Sequence, residues 1–307
     1  MEKKEFNFVG NRRKFYVFSI IILVVALVSF FTKQFELDIE FKGGSVIEVE
    51  LGQAFENNEI EDIISSVTGI VPTVQKMGQV EPQTAVSIST ISITQEQQNE
   101  IMNKLAERYS VEDINQKANV RNIQPTFGQE MQSRAVTAVV LSSIAILIYI
   151  AIVFRSMSFS AGVTALIASV HDILVMLAVY SLFGIPLNST FVAALLTIIG
   201  YSINDTVVVY DRIRENTINL RKAKVDELVN TSINQTLRRT LLTGVSVLGA
   251  LVILFIFGVY FDVETIKQFS LPLIVGVVAG TYSSIFIASN LWVSWREYKT
   301  ARKLKKA

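Results

Sequence analysis

The sequence lacks cysteine altogether and holds a single histidine. No disulfide, Cys-ligated zinc, thiol nucleophile or Cys-held iron–sulfur cluster can form from it, and a His-rich metal site is excluded as well. Charge is scarce: Asp, Glu, Lys and Arg make up 18% of the 307 residues, where a soluble domain carries about a quarter. The charges present nearly cancel, to a net +1, which argues against nucleic-acid binding driven by overall charge. Half of the residues are hydrophobic and mean hydropathy is +0.43. That content excludes a disordered chain and points to a membrane protein.

Six runs carry the apolar residues: 15–31, 135–154, 156–181 (broken only by His171 and Asp172), 191–210 (broken only by Asp205), 240–261 and 268–295. A helix crosses a hydrocarbon core of ~30 Å with about 20 residues, so each run is long enough for one transmembrane helix. Most are apolar all round, unlike the striped helices of a soluble core. The first run follows Arg12, Arg13 and Lys14 and invites comparison with a signal peptide. No small-residue cleavage site follows it and it is longer than the usual apolar segment of about 7–15 residues, so a retained anchor is expected.

Lys and Arg placement gives the orientation. Residues 1–14 hold five, 211–239 seven and 296–307 six, with Arg155 in the turn between the second and third runs; the 182–190 loop holds none. Both termini are therefore expected in the cytoplasm. The expected division is a cytoplasmic 1–14, a first span at 15–32, an external domain at 33–134, spans two to six within 135–295 and a basic cytoplasmic tail at 296–307. The external stretch holds 16 acidic against 8 basic residues. Its pattern reads β–α–β–β–α–β: strands at 45–51, 72–77, 85–93 and 120–125, helices at 58–66 and 96–109. That order predicts a ferredoxin-like α+β layer, with two helices on one antiparallel sheet.

Polar residues inside the spans need a reason, because a charge at the bilayer centre costs about 2.5–3.5 kcal/mol on insertion scales. Asp205 is the fifteenth residue of the fourth run. Tyr201 and Ser202 lie one turn earlier on its face, with Asn204 adjoining. In the fifth run Arg239, Thr243 and Ser246 recur at i, i+4 and i+7. The fourth helix runs inward and the fifth outward, so Asp205 and Arg239 share one half of the membrane. Burial disfavours a charged carboxylate and a nearby guanidinium favours it, while arginine itself stays charged. Relative movement of the two is a proton switch; a fixed distance between them is a static ion pair that sets helix register. One charge falling through 100 mV releases about 2.3 kcal/mol. His171–Asp172 in the third run is a second ionisable pair, either part of a relay or a hydrogen-bonded tie between helices. Asp211, Arg212, Arg214 and Glu215 read as a solvated helix end. Trp292 and Trp295 read as an interfacial belt, and Gly244 and Gly249 as sites of close helix packing.

The segment Gly200-Tyr201-Ser202-Ile203-Asn204-Asp205-Thr206-Val207-Val208-Val209-Tyr210-Asp211-Arg212-Ile213-Arg214-Glu215-Asn216 resembles the signature of the SecF branch of the SecD/SecF family of bacterial protein-export membrane proteins. Thr236-Leu237-Arg238-Arg239-Thr240-Leu241-Leu242-Thr243 resembles that family's next motif, Phe41-Lys42-Gly43-Gly44 the start of its external domain, and His171-Asp172 its third helix. The resemblance runs over essentially the whole chain. Tyr210 stands where phenylalanine is usual, Glu40 where aspartate is common, and Gly244 where serine is frequent. None of these three touches the Asp205–Arg239 pair.

The resemblance implies a six-helix bundle equivalent to half of a resistance–nodulation–division-type transporter, in the bacterial cell (inner) membrane. It implies a separate SecD as the pseudo-symmetric other half, and the SecYEG translocon as the machine assisted, with YajC and YidC as further candidate partners. The proton motive force would move the external domains, which pull or hold an emerging unfolded polypeptide. Asp205 and Arg239 match the family's proton-pathway positions, with Thr243 beside them and Asn204, Ser202 and Asp172 as accompanying relay candidates. The coupling ion would be H+, with Na+ used by some relatives, and no resident cofactor is expected. No nucleophile–base pair, metal cluster or phosphate loop marks an enzyme. Two rivals are a proton-coupled exporter of lipids or small molecules and a non-energised translocon scaffold.

Overall fold

A computed structural model describes residues 6–33, 35–77, 84–153, 159–220, 222–261 and 263–304. Arg155, the start of the third apolar run, the first five residues and the last three of the basic tail lie outside them. Among the described residues, ten α-helices and four strands run in the order α1 (Arg12–Lys33), α2 (Ile39–Lys42), β1 (Gly44–Glu50), α3 (Asn57–Thr68), β2 (Thr73–Met77), β3 (Ala85–Thr90), α4 (Gln95–Tyr109), β4 (Ala118–Ile123), α5 (Pro125–Val153), α6 (Phe159–Phe183), α7 (Ser189–Asn219), α8 (Val225–Tyr260), α9 (Glu264–Tyr282) and α10 (Ser289–Leu304). A π-helical segment, Ser283–Ala288, joins the last two. Six stretches among the described residues are long and apolar enough to cross a membrane: α1, α5, α6, α7, α8 and the continuous run Thr265–Arg302.

The β–α–β–β–α–β order expected for the stretch between the first two spans is the order found. The sheet runs β2-β3-β1-β4 with every neighbour antiparallel. Ile47 pairs with Ile88 on one side and Val120 on the other, so alternate residues of the central strand point to one face. That face packs on Ile60 and Ile64 of α3 and Ile101, Met102 and Leu105 of α4, all at most 1% exposed. Thr94 and Gln97 close a reciprocal cap at the start of α4, which fixes where that helix begins.

The second long helix starts ten residues before its apolar run, because Pro125 opens it and 125–134 continue the same helix. Both connections of the sheet to the bundle leave from one paired strand end, Gly44 opposite Ile123. In the bundle, α6, α7 and the Thr265–Arg302 run form the interior, and α1, α5 and α8 wrap it. Close approach of α7 and α9 depends on Gly276 and Gly280. A Cβ at Gly276 would overlap the Ile198 side chain, and one at Gly280 would lie 3.0 Å from Ser202. Gly244 serves the same end, but Gly249, expected to do likewise, is exposed with nothing within 4 Å. Trp292 also departs from expectation: it is 4% exposed and belongs to the bundle core. Arg296 covers its ring at 5.3 Å, while Trp295 alone faces outward.

Candidate functional site

Asp172 is the most heavily bonded acid in the bundle interior. Its Oδ2 accepts from the Ser202 hydroxyl of α7 at 2.6 Å and from the Ser283 hydroxyl of the π-helical segment at 2.8 Å. Its Oδ1 faces His171 Nδ1 at 3.3 Å. Of the two readings open for His171–Asp172, the tie between helices is therefore present in the geometry. His171 Nε2 is buried and has no protein partner among the described residues. The network continues one turn deeper, where Thr206 donates to Ser284 at 2.9 Å and Ser284 donates to the Ser202 carbonyl at 3.0 Å. Sequence reasoning passed over Ser283, Ser284 and Thr206. Hydroxyl residues are common in any helix, and only the wider turn of the π segment aims Ser283 and Ser284 together into the bundle.

Asp205 sits one turn beyond Tyr201 on α7 and is 3% exposed. Its Oδ2 has no hydrogen-bond partner among the described residues; the Tyr201, Thr240 and Thr281 hydroxyls are buried and unpartnered too. Tyr201 and Thr281 meet at Gly244, where α7, α8 and α9 come together, and Thr240 lies one turn before Gly244 on α8. The Tyr201 hydroxyl is close enough to interact with both Asp205 and Thr281, yet short of good hydrogen-bond geometry to either. It crowds Gly244 of α8, where a Cβ would stand 3.5 Å from it and 3.0 Å from Thr281 Oγ1. Buried oxygens without protein partners are costly unless water or an ion completes them.

Arg239 acts on Asp205 electrostatically but makes no ion pair with it; it is exposed on α8, as are Thr243 and Ser246. The static pair is thus not formed in this conformation. The stripe of α8 that faces the bundle is Ser232, Thr236, Thr240 and Gly244, one position from the expected stripe and about 100° away around the helix. The stripe that carries Arg239 faces outward, while the i+4 run of small polar residues lines this chain's own bundle. Asn204 is likewise exposed on the far side of α7. Of the six expected site residues, the fold thus joins Ser202 to Asp172, brings Asp205 within electrostatic reach of Arg239, and turns Asn204 and Thr243 outward. Asp211–Arg214 and Arg212–Glu215 pair at 2.6 and 2.5 Å along the half-exposed end of α7, as a solvated helix end should.

The family model described as protein export membrane protein SecD/SecF, C-terminal, matches residues 103–298. Protein translocase subunit SecF of Alicyclobacillus acidocaldarius is 36% identical, over 99% of this chain and 96% of its own. That of Rhodothermus marinus is 37% identical, over 98% and 97%. Among solved structures, SecDF of Thermus thermophilus, described as a translocon-associated membrane protein, superposes with a TM-score of 0.82 at 31% identity, covering 96% of this chain. This chain spans 39% of that SecDF chain. SecDF in a super-membrane-facing form superposes less closely, with a TM-score of 0.70. Full-length identity to SecF subunits, the match across 103–298 and the shared helix arrangement make this multi-pass membrane chain a member of the SecD/SecF family of protein export membrane proteins.

Proposed function

We propose that the chain is a SecF-type subunit of the Sec export machinery that, together with SecD, uses the proton motive force to drive or complete polypeptide translocation through SecYEG across the bacterial cell membrane. The observation that carries this reading is the cluster of buried oxygens without protein partners at the α7–α8–α9 junction. It is built from Asp205, Tyr201 and Thr281, with Thr240 buried one turn before Gly244 on α8 and the Arg239 cation in electrostatic reach. A carboxylate in such a seat changes charge when a proton or Na+ arrives, and a small shift of α8 alters how strongly Arg239 favours the charged form. The outward stripe Arg239–Thr243–Ser246 faces away from this chain's own bundle, the side on which a SecD half would stand. Lysine and arginine placement puts both termini in the cytoplasm and the β–α–β–β–α–β layer outside, as a ferredoxin-like domain that handles the emerging chain. The protein works as a transducer rather than an enzyme and needs no resident cofactor.

Asp205→Asn keeps the shape and removes the titratable proton. Stimulation of precursor export by the proton motive force should vanish while the protein accumulates normally in the membrane. Unchanged export would leave the scaffold reading. Arg239→Met should stall the cycle by removing the counter-charge; normal export by a stably accumulated Arg239→Met protein would count against the switch. A lipid- or drug-efflux defect in a deletion strain whose precursor export is intact would favour the exporter.

A further inference from the structure

We propose that Glu40 is a positioning residue that fixes α7, the helix carrying Asp205, to the base of the sheet layer, so that the two move as one lever. This rests on the reading above and deepens it: charge movement at Asp205 displaces the outer domain.

The contact is specific. Glu40 Oε2 accepts the backbone N–H of Ser189 at 3.0 Å and the Ser189 hydroxyl at 2.6 Å, across 149 residues of sequence. Ser189 is the first residue of α7, and its N–H belongs to the first-turn donors that no carbonyl of the helix can satisfy. A carboxylate there is also favoured by the positive end of the helix dipole. Asn188 completes the seat: its Oδ1 caps Phe191 N–H at 2.9 Å and its Nδ2 donates to Gln268 of α9 at 2.6 Å. Just before these residues the two chain segments pair as a short parallel bridge, Leu37 opposite Leu187. Its bonds run from Leu187 N–H to the Glu36 carbonyl at 2.8 Å and from Asp38 N–H to the Leu187 carbonyl at 2.9 Å.

The other side of α2 has no slack. Phe41 is buried in the bundle core, and its carbonyl accepts from Gln132 of α5 at 2.7 Å. Gly128 of α5 comes so close that a Cβ on it would stand 2.6 Å from the same carbonyl. Gly43, at φ +77°, then turns the chain past Pro125 into Gly44 and the central strand β1. One turn of helix is thus held by α5, by the central strand and, through Glu40, by the tip of α7. Asp205 lies sixteen residues farther along the unbroken α7, about 24 Å at 1.5 Å per residue. A rigid rod with its charge-changing group near the middle and a carboxylate clamp at its tip carries displacement from one to the other.

The test uses the full chain with its SecD partner in membrane vesicles, reading proton movement with a pH-sensitive dye and, separately, export of a secretory precursor. Glu40→Ala should leave proton movement within twofold of the unaltered chain and lower export at least fivefold, with Glu40→Gln between the two. Export that does not fall, or proton movement falling in proportion with export, would overturn the lever. Because the chain has no cysteine, Leu37→Cys with Leu187→Cys offers a lock that does not depend on Glu40. Bridge partners lie about 4.8 Å apart, within disulfide reach. The oxidised protein should export as well as the reduced one, since the clamp stays closed throughout the cycle. Loss of export on oxidation, restored by reductant, would overturn the proposal. Asp205→Asn separates the two levels: it must abolish both quantities if the energised reading holds, whereas failure of the lever alone leaves that result standing.

Discussion

The sheet layer and the helix bundle are packed on opposite plans. In the sheet layer the interior is Ile47, Ile60, Ile64, Ile88, Ile101 and Leu105, and the charges stand on the rim, where Arg121 pairs with Glu48 and Arg108 with Glu59. In the bundle Ser202, Ser232, Ser283, Ser284, Ser289 and Asn290 are at most 1% exposed, while Ile20, Leu141, Ile152 and Ile253 face outward. The reason lies in the surroundings. Water drives apolar area inward at about 25 cal/mol per Å². Lipid gives no such reward, so helices associate through close packing of small residues and through hydrogen bonds.

Side-chain deletion should expose this contrast most sharply. Ile88→Ala, from a side chain with no exposure, should cost about 2–5 kcal/mol, read as earlier unfolding of the sheet layer in the detergent-solubilised full chain. Ile152→Ala, from a side chain 69% exposed on α5, should change stability by less than about 0.5 kcal/mol. Equal losses at the two positions would end the comparison. The converse substitution comes next in size. Gly276→Ala pushes a Cβ into Ile198 and should cost about 1–3 kcal/mol by overpacking; pairing it with Ile198→Val should recover part of the loss. Smaller still is Ser283→Ala. Asp172 keeps its bond from Ser202, and interhelical hydrogen bonds in membranes average about 0.6 kcal/mol. A loss several times larger would mean that the buried network acts as one unit.

The same contrast explains what could be read from the sequence. Period-two alternation places β1 to within a residue, since Ile47 and Val49 must face α3 and α4 while Glu48 points to the other face, half-buried against Arg121. Charge-free runs locate six spans because bilayer thickness sets their length. What stayed hidden is which side of each span faces its neighbours. Where apolar residues cover the whole helix, hydrophobicity carries no facing signal. Charge marks the Arg239 edge of α8, whereas the edge buried in this chain's own bundle is Ser232–Thr236–Thr240–Gly244. The π-helical segment has no distinguishing residue type, so the meeting of Ser283 with Asp172 depends on backbone geometry that composition does not encode. Asp205 was legible because a carboxylate among Val and Ile needs explaining wherever it points.

A further test bears on the sheet layer's edge. Tyr109, at the end of α4, is 5% exposed and its hydroxyl donates to Glu59 Oε2 at 3.1 Å. Burial first, and then the Glu59 carboxylate, push the phenol up to about 12, against about 10 for an unfolded tyrosine. Between those two values the folded chain holds a proton that the unfolded chain has released. Stability from this group is therefore fully present below pH ~10 and is lost as pH rises toward ~12. Lysines titrate over the same window, so the informative quantity is a difference: Tyr109→Phe should lose stability less steeply than the unaltered chain above pH ~10. If the two slopes coincide, the phenol ionises as freely in the folded chain as in the unfolded one. The rim around Glu59 would then be as open to water as Arg121–Glu48, and the boundary between sealed interior and solvated charge would have to be drawn inside Tyr109 rather than outside it.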